Sequence, residues 1–153
     1  MMVTVQEADF NAQELIQQLY DQHPGHTGAL LSFIGYVRDY QPEHPTEALI
    51  LEHYPGMCER EIEALCTQAK ERWDILATRV VHRVGTLHRD EQIVFVAVSS
   101  IHRGEAFKAC EYIIDALKTR APFWKREQLQ DGQKIWVQQH ESDAQKTALW
   151  DND

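Results

Sequence analysis

The sequence predicts an α+β fold: one domain with a mixed or antiparallel sheet and about three helices. The chain has 153 residues, close to the ~100–150 that single domains most often hold. Segments of helical period alternate with short apolar runs of strand length. Two of those runs in mid-chain are joined only by GTLHRDE, too short for a parallel crossover. No repeat, low-complexity tract or Pro/Gly/Ser-rich linker divides the chain, so residues 1–153 read as one domain.

The first helix is expected from Asn11, with Glu14 at capping-box spacing. Ala12, Leu15, Ile16, Leu19 and Tyr20 then recur at helical intervals until His23-Pro24-Gly25. Gly28–Ile34 reads as a buried strand. Asp39–Glu47, polar with two prolines, reads as a loop, and a second strand follows at Ala48–His53. A helix from about Gly56 to Trp73 follows from Cys58, Ile62, Leu65, Cys66, Ala69 and Trp73, spaced 4, 3, 1, 3 and 4 apart. Thr78–Val84 and Gln92–Ser99 are strands, the second apolar on both faces and therefore central. A third helix is expected over about Gly104–Lys118, with Phe107, Cys110, Ile113, Ile114 and Leu117 inward. Pro122 forbids its continuation. Ile135–Gln138 is the last expected strand. The lone Gly35 in FIGYV reads as a bulge or a close-packing position.

Composition narrows the function. The longest apolar run, Ile93–Val98, has six residues, whereas a spanning helix needs about 20. The start, MMVTVQEADF, lacks the pattern of a secretory signal. Three cysteines without a CxxC pair point to a reducing compartment, the cytoplasm. With 15 Lys+Arg against 24 Asp+Glu and a net charge of −9, a nucleic-acid binder is disfavoured. Yet His102–Arg126 holds six basic and three acidic residues, a +3 island in a −12 remainder.

That island carries the candidate chemistry. His102-Arg103 stands where a central strand hands over to a helix, whose N-terminus favours anions. Arg103 there either grips a phosphate or satisfies surface carbonyls and carboxylates. Lys118 and Lys125 flank Pro122-Phe123-Trp124, which stiffens their connection. Close ammonium groups depress one another's pKa and furnish a base or nucleophile; alternatively they bind an anion or stay solvated. Arg38 ends a strand beside the proline-containing loop, either as a ligand contact or as a solvent-facing strand end. No HExxH, Cys/His finger, GxSxG, P-loop or GxGxxG is present. No metal or cofactor is therefore expected. His82 and His88 suit surface or strand-packing roles.

Phe33-Ile-Gly-Tyr-Val-Arg38, Leu51-Glu-His-Tyr54 with Met57, His82-Arg-Val-Gly-Thr-Leu87, Ile101-His-Arg-Gly-Glu-Ala-Phe107 and Asp115-Ala-Leu-Lys118 through Trp124-Lys125-Arg-Glu127 occur in that order. With them the chain resembles the catalytic (large) subunit family of molybdopterin synthase. The resemblance implies an α/β hammerhead-type domain and a sulfur transferase. Such an enzyme converts cyclic pyranopterin monophosphate to molybdopterin, with no metal in the step. It draws sulfur from a thiocarboxylate on the C-terminal Gly-Gly of a small ubiquitin-like subunit, and two large subunits form the core of a heterotetramer. Lys118 and Lys125 match the family's active-site lysines. His102 and Arg103 match a substrate-contact pair, Tyr36-Val37-Arg38 an adjoining contact, and Arg126-Glu127 the rest of the WKxE element. Phe33 and Ile114 are candidate pocket residues, and His140 stands where the family often offers arginine across the dimer. Asp90 replaces the family's usual turn glycine before Glu91; aspartate tolerates left-handed backbone, so the hairpin is expected to persist. The competing reading is a non-catalytic anion-binding or regulatory module on the same scaffold.

Overall fold

A computed structural model describes residues 2–38, 46–129, 134–136, 145–146 and 148–150. Two four-stranded sheets form the frame. The first has the order β1-β4-β6-β2, from β1 (Val3–Gln6), β2 (Ala29–Tyr36), β4 (Ala77–Arg83) and β6 (Gln92–Ser100). The second has the order β5-β3-β7-β8, from β3 (Thr46–His53), β5 (Gly85–His88), β7 (Phe123–Leu129) and β8 (Lys134–Trp136). Among the described residues, only the β1–β4 pair is parallel. The helices α1 (Ala12–Asp21), α2 (Met57–Arg72) and α3 (Arg103–Arg120) complete the frame, and residues 145–146 and 148–150 are helical as well.

The double-sided apolarity of β6 has a direct cause. Val96 and Val98 pack under α2 and α3 with Ile62, Leu65, Ala109 and Ile113. Phe95 and Ala97 point the other way, toward Leu15 and Leu19 of α1. Helices thus cover both faces of the first sheet, and its central strand has no polar face to offer. A third cluster, Val37, Leu49, Leu51, Val84 and Leu87, fills the junction with the second sheet.

Local signals act as expected at several points. Asn11 caps α1, its Oδ1 accepting the Glu14 N–H at 3.2 Å. Gly56, at φ 83°, precedes α2, and the Glu59 carboxylate accepts its N–H at 2.5 Å. Asp90 adopts φ 72°, and the Glu91 carboxylate accepts the His88 N–H beside it. Gly35 fills both roles expected of it. The β2–β6 register shifts between Gly35 and Tyr36, and a Cβ there would lie 2.9 Å from Val94 Cγ1.

One strand was not among the expected elements, and three expectations need correction. Val3–Gln6 is a strand; its four residues are too few for periodicity to register, and pairing with β4 creates it. GTLHRDE is not merely a connection. Its Gly85–His88 half pairs with β3 in the second sheet, the chain changing sheets at Gly85 with φ 88°. The segment after Pro122 is likewise the strand β7 rather than a clamp-like connection. Phe107 is 59% exposed, not inward. Ala106, Ala109, Cys110, Ile113, Ala116 and Leu117 form the inward stripe, and Phe107 lies about 100° around the helix from Ala106. The last strand is described as Lys134–Trp136; Asp39–Pro45 and the remainder of Ile135–Gln138 lie outside the described residues.

Candidate active site

The register shows which residues share an end of the fold. β2 runs antiparallel to β6, with Gly35 opposite Val94 and Ala29 opposite Ser100. β4 places His82 opposite Val94, and His82 stacks on Phe123 at 3.9 Å. The end of β2, the start of β6, the exit of α3 and the start of β7 therefore converge. Arg38 follows β2 at this end, Lys118 lies in the last turn of α3, and Lys125 is the third residue of β7.

Each cation is held differently. Arg38 is exposed, but its support is rigid. The Val37 side chain is buried, its N–H donates to Glu91 O at 2.9 Å, and its C=O accepts the Asp90 N–H at 2.9 Å. Val37 thereby serves as the anchor of Arg38, with its side chain in the core. Lys118 is exposed at a helix C-terminus, whose partial negative charge favours a cation. Lys125 is half-buried, and strand alternation sets it on the inward face with Phe123 and the buried Glu127.

Alternation also separates Arg126 from them. It projects to the opposite face, where its Nη2 pairs with Glu52 Oε1 at 2.6 Å near the Tyr54–Trp124 edge contact. Tyr36 is exposed, 53%, on the last position of β2. Phe33 and Ile114 pack at the margin of the core beneath α3. His140 lies outside the described residues.

His102 and Arg103 are not brought to this cluster within one chain. Both are exposed at the start of α3, His102 as its N-cap. Lys118 is 15 residues further along the helix than Arg103, or about 22 Å at ~1.5 Å per residue. Gly28 marks their end of the sheet: a Cβ on it would sit 2.0 Å from Ile101 O.

His82 was not singled out as a site residue by sequence reasoning, although a histidine inside the apolar strand VVHRV was the available signal. Its ring is buried, parallel to Phe123 within 15°, with His53 on the same phenylalanine at 6.4 Å. Burial pulls its pKa down to about 4; hydrogen bonding to Arg83 O opposes this, and the charges of Lys125 and His53 add to the lowering. Among the described residues no group of three His, Cys, Asp or Glu side chains is placed to hold a metal ion. No described helix is long and apolar enough to cross a membrane.

The family model described as MoaE protein matches residues 5–120. The chain belongs to the MoaE protein family. Its relatives include the molybdopterin synthase catalytic subunit of Pasteurella multocida, 43% identical over 150 residues and covering 98% of each chain. That of Ralstonia nicotianae is 47% identical over 148 residues, covering 97% of this chain and 83% of the relative. Among solved structures, a MoaE protein from Burkholderia ambifaria superposes with a TM-score of 0.81 at 41% identity, covering 98% of both chains. Molybdopterin synthase from Staphylococcus aureus gives 0.81 at 30% identity, covering 88% of this chain and 96% of the other. The MoaE match ends just past Lys118, whereas the full-length relatives extend the similarity across Lys125 and β7.

Proposed function

We infer that this chain is the catalytic subunit of a molybdopterin synthase, acting as a single-domain sulfur transferase of molybdenum cofactor biosynthesis in the cytoplasm. The observation that carries the reading is the convergence of Arg38, Lys118 and Lys125 at one end of the fold. A cyclic pyranopterin monophosphate and a thiocarboxylate are both anions, and their encounter needs fixed positive charge. Arg38, on its braced strand end, suits the phosphate. Lys118 suits the thiocarboxylate and the proton transfer to departing oxygen, with Lys125 positioning it. In each transfer the thiocarboxylate sulfur forms a C–S bond as the substrate C–O bond breaks and its oxygen departs as water; hydrolysis by water then cleaves the carrier's acyl C–S bond and leaves a carboxylate on the carrier.

The carrier is a small ubiquitin-like subunit with a C-terminal Gly-Gly thiocarboxylate. A structure at 18% identity, a complex of subunits 1 and 2 of the molybdopterin-converting factor from Helicobacter pylori, shares the fold with a TM-score of 0.73. The separation of about 22 Å along α3 fits a homodimer core. There His102 and Arg103 of one copy complete the cluster of another, and a heterotetramer results when each copy binds a carrier. His140 is a further candidate for that cross-subunit role, and Tyr36 and Glu127 are further candidates for substrate contact on the side of each copy's own lysines.

The test is direct. The protein is mixed with thiocarboxylated carrier and the pyranopterin, and dithiolene product is followed by mass spectrometry. Product is expected from the parent chain and its near-complete loss from Lys118→Ala with the thermal melt retained. Normal transfer by Lys118→Ala would remove the lysine assignment. Tight pyranopterin binding with no product from an active carrier would favour the anion-binding module.

A further inference from the structure

His82 and Lys125 belong to different sheets, and the element that joins them is Phe123. The His82 ring on β4 lies face to face with Phe123 on β7. Phe123 stands opposite His53 in the register of β3, and that ring flanks it as well. The residue before it is tied down separately: the Cys58 thiol of α2 donates to Pro122 O at 3.3 Å. Lys125 follows two residues later on the same side of the strand. The rung of β7 that carries Lys125 thus lies two residues beyond the stacked Phe123, where it pairs with Leu51 of β3.

His82 has a defined chemical state in this arrangement. Its Nδ1 lies 2.8 Å from Arg83 O. A carbonyl only accepts, so Nδ1 carries the hydrogen, and burial, which disfavours a second proton, leaves Nε2 its lone pair. The titratable side chains acting on the ring from neighbouring strands are Lys125 on β7 and His53 on β3, and both disfavour a second positive charge there.

We propose that His82 is a positioning residue for Lys125, its uncharged ring stacking on Phe123 to fix the rung of β7 from which the lysine projects. The role rests on the reading of Lys125 as part of the sulfur-transfer site. The stack contributes position rather than chemistry, since the reacting groups meet the cations and not the buried ring.

The experiment is a double-mutant cycle on the intact protein, reading pyranopterin Kd by calorimetry and, with active carrier, kcat. His82→Gln keeps a donor but removes the ring. It is expected to raise Kd about tenfold, the size of one misplaced charge-assisted hydrogen bond. In a Lys125→Ala background the same change is expected to cost less than about twofold, within the usual limit of independence. His82→Phe, which keeps the stack, is expected to recover most of the parental Kd and kcat. Equal losses from His82→Gln in both backgrounds overturn the positioning role, because a general structural defect would produce them. A His82→Phe protein as weak as His82→Gln also overturns it. If His82→Gln melts at the assay temperature, Phe123→Leu replaces it in the same cycle with the same expected coupling. A parental Kd and kcat in Lys125→Ala alone would remove both the lysine's role and that of His82. Loss in Lys125→Ala without coupling removes only the latter.

Discussion

Acidification provides a sharp test of the buried His82, because the ring must take up a proton on unfolding that it refuses when folded. Its pKa is about 4 in the fold against an ordinary 6.5. Above 6.5 both states are neutral and the protein has its full stability. As pH falls below 6.5 the unfolded chain binds the proton first, so stability is lost progressively until the folded ring is protonated as well, near 4. At about 1.4 kcal/mol per pH unit the interval corresponds to about 3 kcal/mol. For a domain of this size that is about 6–12 °C in Tm. The measurement is urea unfolding from pH 7 to pH 4 for the parent and His82→Phe. Carboxylates and the other histidines titrate alike in both proteins, so the difference between the two curves isolates His82. The parent's advantage over the variant is expected to shrink by about 3 kcal/mol across the interval. Parallel curves would show that the ring gains its proton as easily in the fold as in water, and the burial argument would fail.

Other positions give further tests. Gly35→Ala would bring a Cβ to 2.9 Å from Val94 Cγ1 and should cost about 1–3 kcal/mol by overpacking; a denaturant midpoint reads this, and an added Val94→Ala should restore part of it. Burial pushes the thiols of Cys66 and Cys110 up to about 11, so iodoacetamide at pH 8 should leave both unmodified in the native protein and alkylate them in urea. Trp150 Nε1 donates to Asp115 Oδ2 at 2.9 Å, and Arg72 Nη2 bonds Trp150 O. Trp150→Phe leaves a buried carboxylate short of a donor and should destabilise by about 1–3 kcal/mol in thermal unfolding.

Much of the fold was legible because its signals are local. The spacing of Cys58, Ile62, Leu65, Cys66 and Ala69 marks a helix face wherever that helix lies, and all five are buried as expected. Asn11 and Glu14 announce a cap through contacts three residues apart. The elements that escaped, β1, β5 and β7, are short or polar, and their strand character comes from partners distant in the chain. Phe107 escaped for a related reason. Hydrophobicity says that a side chain prefers burial, but the direction is decided by the alanines and cysteine that let α3 approach the sheet closely.

The site divides along the same line. Residue types and order suffice to single out Arg38, Lys118 and Lys125 as candidate site cations, since their charge and their setting within recognisable motifs are written in the chain. Where those charges stand relative to one another is a long-range matter. The length of α3 sets His102 and Arg103 about 22 Å from Lys118, and the two-residue alternation of β7 turns Arg126 toward Glu52 while Lys125 faces inward. Pairing between β3 and β7, and the meeting of β4 with β7 through His82 and Phe123, join segments some forty to eighty residues apart. The chain's own chemistry names the charges, but only closure of two sheets around a common core assigns them to faces and ends, because neither distance nor direction between such segments is encoded in local spacing.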